Sequence, residues 1–398
     1  MKSILLTAAG VGLLMLTAYD VYATVLNTRA RYGPVGERLN RHVWRATRWA
    51  AFRLPRPRRH RLLNAVGPLL LPLLLVTYIT LIVLGFALVY APRMPAQFHI
   101  GDLKGRLDFL DALYFSGITL TTLGYGEIVP ASTMMRLAAL VESASGIALI
   151  SLAIAYLLAV YGALANKRTA ALTLYHQAGE GADAAGFIAH HFVEGRFYGL
   201  REALRTATRD LQGVLESHVE HPVIHYFHPP EVYKSLPRML FLLLEACAVI
   251  RTALDDERHS DVRNHPEVRT LEASARYVLG ELVDSLDLER RRRRRTDLPE
   301  EAEEDERRWR GRFAQTLDRL AADGVETRRD REAGYREYRA RRRDWESKLR
   351  RLSLHLGYDW EEVTGDLDLD YAADEQKEEP AAKAGDVKTA GKRSEARP

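Results

Sequence analysis

Nearly all the long apolar runs lie in the first 165 residues, and the remainder is dense in Arg, Asp and Glu, with helices whose apolar positions recur every third or fourth residue. Three of the runs suit a bilayer span, which takes roughly 20 helical residues: Ile4–Ala23, Val66–Tyr90 and Leu137–Ala165. The second has no charge and carries Pro68 and Pro72 near its start, where the first turn of a helix tolerates proline best. The third contains one ionisable residue, Glu142, and the first ends around Asp20. Residues 91–136, between the second and third runs, hold a helix signal of their own. Asp108 suits an N-cap, Asp111 the first turn, and "FLDALYFSGITLTT" has helical spacing. Such a helix is too short to span, so the chain must enter the membrane and return at "TTLGYG". A re-entrant segment survives only where protein or water satisfies its backbone.

Charge then orients the spans. The 28–64 loop carries eleven Arg against one acidic residue, Glu37, and short basic loops stay cytoplasmic. This places the N-terminus outside, residues 91–136 outside and the C-terminus in the cytoplasm, with Lys167 and Arg168 closing the third span. A cleaved signal peptide ending at "VYA" is the competing reading of the first run, and it would strand the basic loop outside. The same loop has Trp44, Trp49 and Phe52 among arginines, which suits an interfacial helix. Arg45, Arg48, Arg53, Arg58 and Arg59 are its candidate contacts to anionic lipid.

The half-helix followed by Thr122, Leu123, Gly124, Tyr125 and Gly126 resembles the pore domain of the potassium channel family, of bacterial type. The resemblance covers about residues 66–165 and centres on "DALYFSGITLTTLGYGEIVP". It implies an all-α membrane protein, a homotetramer around one axis, in the plasma (inner) membrane. Backbone carbonyls of residues 122–126 would replace the hydration shell of permeating K+, the only ion implied and no cofactor. The family's pattern is Thr-x-Gly-Tyr-Gly; Leu123 stands where valine is commoner, and Glu127 where aspartate is. By resemblance Thr121 flanks the filter, Glu127 keeps a carboxylate at the outer mouth, and Tyr114 and Phe115 neighbour a bracing Tyr125.

In the third run, Gly146 resembles the family's inner-helix hinge, with simple helix packing as the equal alternative. Pore closure is then expected around Ala155–Leu164. Glu142, one turn before Gly146, is placed to hydrogen-bond Ser116 or Thr119 on the pore helix. Its candidate roles are helix packing and gating.

The domain order expected is an N-terminal transmembrane helix (1–27) and a basic loop (28–64). The pore domain (65–168) follows, with outer helix 66–90, pore helix 108–121, filter 122–126 and inner helix 137–165. A helical cytoplasmic domain (169–290), a charged linker (291–306), a charged amphipathic helix (307–360) and a disordered tail (361–398) complete it. One helix before the outer helix, without regularly spaced arginines, excludes a four-helix voltage sensor. "GEGADAAG" lacks the glycine spacing and preceding strand of a dinucleotide site. Trp345, Leu349, Leu352 and Leu356 form a stripe that would suit pairing with another subunit.

Composition narrows the chemistry. Cys247 is the only cysteine, so intramolecular disulfides and multi-cysteine metal sites are excluded. Seven histidines between 176 and 228 lack ligand spacing, and a pH response suits them better than a metal. "RRRRRR" beside "EEAEEDE" reads as a solvated linker, not a nucleic-acid patch. No nucleophile–base pair or phosphate loop supports an enzyme. A channel gated by its helical cytoplasmic domain is the leading reading, and a non-conducting membrane sensor or scaffold the alternative.

Overall fold

The computed structural model describes residues 1–26, 33–100, 108–179, 183–286, 288 and 303–365. Residues 291–302 of the expected linker and 366–398 of the expected tail lie outside the described residues. The elements are helices α1 (Lys2–Val21), α2 (Pro34–Ala51), α3 (Arg56–Tyr90), α4 (Met94–Gln97), α5 (Phe109–Leu120), α6 (Thr133–Gln177), α7 (Ala184–His190), α8 (Leu200–Glu220), α9 (Leu236–Thr252), α10 (Ser260–Arg263), α11 (Pro266–Ser285), α12 (Glu303–Ala322), α13 (Arg331–Leu356) and α14 (Trp360–Thr364), with strands β1 (Phe98–Ile100), β2 (Ile128–Pro130), β3 (Phe192–Val193) and β4 (Arg196–Phe197). Among the described residues, three helices are long and apolar enough to cross a membrane: α1 with its continuation to Leu26, α3 and α6.

The chain divides into two compact units. The first comprises Met1–Trp49, Ala65–Asn166 and Glu216–Phe227. Here α1 crosses α3 through glycines. A side chain on Gly10 would meet the Gly85 carbonyl and Leu88, and one on Gly85 would meet Leu14. Small residues permit this close approach where lipid offers no hydrophobic drive between helices. The sequence reading ended the first segment at Asp20, but the helix continues through it into a π-helical turn, Tyr22–Leu26. Asp20 is fully buried, and it accepts hydrogen bonds from the Val35 and Gly36 amides (2.7 and 3.0 Å) and the Tyr78 hydroxyl (2.7 Å). A carboxylate at the N-terminus of α2 satisfies amides that have no partner within the helix and meets the positive end of its dipole. A Cβ on Gly33 would lie 2.1 Å from the Asp20 carboxylate, so glycine is what lets the carboxylate reach the backbone.

The outer helix begins ten residues earlier than expected from its apolar run. Pro57 near the helix start fixes a helical φ without sacrificing a bonded amide, and the polar stretch Arg56–Asn64 joins the same helix. At 35 residues, α3 is about 50 Å long, against roughly 30 Å of hydrocarbon. Pro68 and Pro72 therefore sit inside the helix, not in its first turn. The inner helix is also extended, 45 residues where 29 were expected, because "NKRTAALTLYHQ" keeps helical propensity past the apolar run. Residues 216–227, expected within the helical domain, pack in the first unit. Tyr226 lies against Trp44 (ring centroids 5.6 Å), His221 against Tyr156 (5.5 Å) and Phe227 against Tyr161 (6.1 Å).

The second unit comprises Ala50–Asn64, Lys167–Leu215 and His228–Pro398. Its axis is α9, predominantly apolar and almost wholly buried, as a helix enclosed by others should be. Helices α7, α11, α13 and α14 pack around it. Cys247 is enclosed here, as expected, and burial pushes its thiol above the usual range. A hairpin joins β3 to β4, with Glu194 and Gly195 both at positive φ (50° and 79°), the geometry of a tight two-residue turn.

One expectation for this unit is corrected. Residues 307–360 are not one helix but two, α12 and α13, with α14 starting at Trp360: α12 ends at Ala322, the chain turns at Gly324 in the left-handed region (φ 81°), and Asp330 caps α13 through the Ala333 amide (2.9 Å). The Trp345, Leu349, Leu352 and Leu356 stripe is buried in the chain's own core, so it is not free to pair with another subunit.

Arg342 explains how so charged a helix can be central. Its guanidinium stacks 3.4 Å from the centre of the Trp309 ring, pairs with Glu245 and lies 3.1 Å from the Tyr338 hydroxyl. Charge is thus neutralised and the stem covered by aromatic faces. Removing one partner of a buried pair leaves the other uncompensated and costs about 3–5 kcal/mol. Arg342→Ala should therefore lower the thermal unfolding midpoint of the second unit sharply in the full chain. An unchanged midpoint by calorimetry would refute this role.

Candidate ion pathway

The pore helix α5 is fixed at its start by a reciprocal cap. Asp108 accepts from the Leu110 and Asp111 amides (2.7 and 3.2 Å), and Asp111 accepts from the Asp108 amide (2.8 Å). Twelve residues give about 18 Å, too little to span. Ala112, Phe115, Ser116, Ile118 and Leu120 are buried. Phe115 stacks edge-on with Tyr90 and Phe98 (5.2 Å each), joining the pore helix to the outer helix and β1.

The chain turns back at the helix C-terminus, where the Ile118 carbonyl accepts from the Leu123 and Gly124 amides (2.8 and 3.3 Å) and Thr119 accepts from Thr122 (3.0 Å). From there φ is positive at every second residue: Thr122 (59°), Gly124 (53°) and Gly126 (84°). In an ordinary strand successive carbonyls point to opposite sides. When φ alternates in sign, they turn toward the same side. Glycine adopts these angles freely, whereas the β-branched Thr122 is strained by about 1–3 kcal/mol. Strain of that kind is characteristic of functional backbone. Residues 121–127 are all exposed in the single chain, so nothing within it closes the opposite side of this carbonyl row.

The segment leaving the row is anchored by β2, which pairs antiparallel with β1 in the register His99↔Val129. The Ala131 amide donates to the Gln97 carbonyl (2.8 Å), and Ser132 donates to the Gln97 side chain (3.0 Å). Sequence reasoning missed this pair, because three-residue strands carry no readable alternation.

The candidate residues fall into three groups. Tyr114, expected beside Tyr125, donates to Glu127 (3.1 Å), a contact the sequence did not indicate. Tyr125 is 64% exposed and Leu123 56%, and Phe115 faces Tyr90 instead, so no bracing of Tyr125 by Phe115 occurs within one chain. Glu142 is fully buried and joins three helices, being hydrogen-bonded by Ser116 of α5 and by Tyr90 of α3 (2.8 Å). Ser116 was anticipated; Thr119 is not a partner, and Tyr90 was missed because it lies 52 residues away in sequence.

Gly146 faces the end of the pore helix. A Cβ there would lie 2.1 Å from the Leu120 carbonyl. The helix runs unbroken through this position, so close packing is sufficient reason for the glycine. Of the loop arginines, Arg45, Arg53 and Arg58 are exposed, as are Trp49 and Phe52, whereas Arg59 is buried in the second unit. Arg48 is half-buried.

Residues 73–162 match the family model described as Ion channel, from the outer helix through the re-entrant loop to the inner helix. Over that stretch the chain is similar to the ion channel family. The chain is also similar to a protein of Bacillus subtilis (strain 168) described as uncharacterized membrane protein YdjJ, 27% identical over 262 residues, 65% of this chain and 74% of that one. The likeness extends well beyond the channel stretch. No solved structure matches the chain.

Two substitutions test the packing beneath the loop. Gly146→Ala should overpack the contact with Leu120, costing about 1–3 kcal/mol. Tyr90→Phe should leave a buried Glu142 oxygen unpaired, again about 1–3 kcal/mol. Thermal stability of the purified protein in lipid nanodiscs measures both, and wild-type values for the pair would contradict the structure.

Proposed function

We propose that the protein is a potassium-selective channel working as a homotetramer, with residues 122–126 as its filter. The observation that carries this is the alternating backbone at Thr122, Gly124 and Gly126, held at the end of a half-length membrane helix. A row of carbonyls turned to one side is a dehydrated cation's coordination shell once four copies face one another. The exposure of residues 121–127 in one chain supports assembly around a shared axis. Glu127, held by Tyr114, places a carboxylate at the entrance, where it concentrates cations. The helical second unit gates the pore through α6, an unbroken helix that belongs to both units.

The setting follows from the charge distribution. The protein lies in a plasma membrane with its N-terminus outside and the second unit in the cytoplasm. Exposed Arg45, Arg53 and Arg58, together with Trp49 and Phe52, contact anionic headgroups at the inner leaflet.

Reversal potentials under biionic potassium and sodium conditions test the central claim. A strong shift toward potassium is expected, and near-equal permeability would sink it. Gly126→Ala should abolish selectivity, since alanine resists φ 84°. Arg342→Ala should alter open probability without moving the reversal potential. If it leaves open probability untouched, the second unit does not control the gate.

Orientation has its own measurement. Cysteine placed at Ser3 should react with an impermeant thiol reagent in intact cells, because the buried Cys247 is shielded. Labelling only after lysis would invert the topology.

A further inference from the structure

A cluster of buried titratable groups in the second unit takes no part in conduction. His60 lies on the first turns of α3, and its ring is fully enclosed. Its Nδ1 lies 2.7 Å from His228 Nε2, and its Nε2 lies 2.9 Å from a Glu362 oxygen of α14. His228 Nδ1 in turn lies 3.0 Å from the Leu356 carbonyl, at the end of α13. Tyr358 stacks on His228 (4.2 Å) and tilts against His60 (5.6 Å). Arg56 and Arg59 also reach Glu362, and Arg59 pairs with Asp359 (2.7 Å).

Hydrogen-bond accounting fixes where the protons are. A carbonyl only accepts, so His228 Nδ1 carries a hydrogen and donates to Leu356. A neutral imidazole then presents a lone pair at Nε2, and His60 Nδ1–H donates to it. An ionised carboxylate only accepts, so His60 Nε2 also donates. The pair therefore holds one proton beyond two neutral rings, held in the short contact between His60 Nδ1 and His228 Nε2.

We infer that the His60–His228 pair is a proton-binding site, and that taking up a second proton unlatches α14 and the 228 loop from the start of α3. A proton on His228 Nε2 would face the Nδ1–H of His60, replacing an attraction by the repulsion of two enclosed cations. The other groups around the pair do not relieve this. From α3 come Arg56 and Arg59; from α14 and its cap, Glu362 and Asp359, both engaged with those arginines; from the end of α13 and the chain after it, the Leu356 carbonyl and the Tyr358 ring.

The direction of the pH dependence follows. Burial, and next the His60 charge, hold His228 well below the ordinary histidine range in the latched state. Released, it returns to about 6.5. A base whose pKa is depressed by an interaction stabilises that interaction above its free pKa, and the contribution is lost as pH falls. The latch is thus weakened by up to about tenfold per pH unit below about 6.5. Glu362 acts in a separate window. Burial would raise its carboxyl, but the bonds from His60, the Asp359 amide and Arg56 hold it at about 2, so its contribution fades only below about 4.5. Between pH 6.5 and 4.5 the response belongs to His228.

His60 stands on the same unbroken helix as the outer membrane span. The effect on conduction rests on the channel reading; the latch itself does not. Spin labels at Arg58→Cys and Glu361→Cys, in a Cys247→Ser background of the full chain in lipid nanodiscs, report it directly. A short-distance population should dominate at pH 7.5 and give way to long distances between pH 6.5 and 5. His228→Gln, whose amide can accept from His60 and donate to Leu356 without titrating, should stay latched across that range. Unchanged distances in the wild-type sequence would overturn the inference, as would an identical pH response in His228→Gln. Should His228→Gln not fold, the wild-type titration decides: an opening that begins only below pH 4.5 points to Glu362 and refutes the histidine site. Because the readout is a distance, it stands or falls independently of the reversal potentials.

Discussion

A backbone that turns round at membrane depth must satisfy its own amides and carbonyls, because hydrocarbon offers them no partner. The re-entrant loop meets this constraint from three sides. Ile118 and Thr119 carbonyls at the end of α5 take the first amides of the returning chain; the β1–β2 pair takes the outgoing strand. Glu142 fastens the helix that supports both. The carbonyls of the row between these anchors are left for something other than protein to satisfy. On the proposed channel reading, a cation occupies this row of acceptors.

Three buried carboxylates share a logic. Asp20, Glu142 and Glu362 each lie where elements from distant parts of the sequence meet: Asp20 accepts from α2 and α3, Glu142 from α3 and α5, and Glu362 from three side chains of α3. In apolar surroundings a single acceptor with several donors fixes relative position more sharply than apolar packing, because leaving any donor unpaired costs about 1–3 kcal/mol. These three residues specify arrangement more than they add stability.

Much of this was legible in the sequence. The three spans, the capped half-helix, the Ser116–Glu142 contact and the helical character of the C-terminal half all follow from periodicity and residue type. What was not legible depended on contacts between remote positions. Nothing local in "RPRRHR" says that His60 is enclosed, since a basic stretch before a span ordinarily faces water. Tyr90 shows no sign of its Glu142 partner, and the stripe from Trp345 to Leu356 reads identically whether it faces its own core or a neighbour. Helix ends were misplaced for a related reason. Hydrophobicity marks the part of α3 and α6 suited to the membrane, while the backbone keeps coiling well beyond it.

Gly146 leaves one consequence to be drawn. Its Cα rests directly against the last carbonyl of the pore helix, with no side chain between to absorb displacement. A bend of α6 at this point cannot occur without changing the support under Leu120, and the next residues are the strained Thr122 and the carbonyl row. On the proposed channel reading, opening at the inner end and the conformation of the row are one mechanical coordinate, and sustained opening is expected to bring a slow loss of conduction.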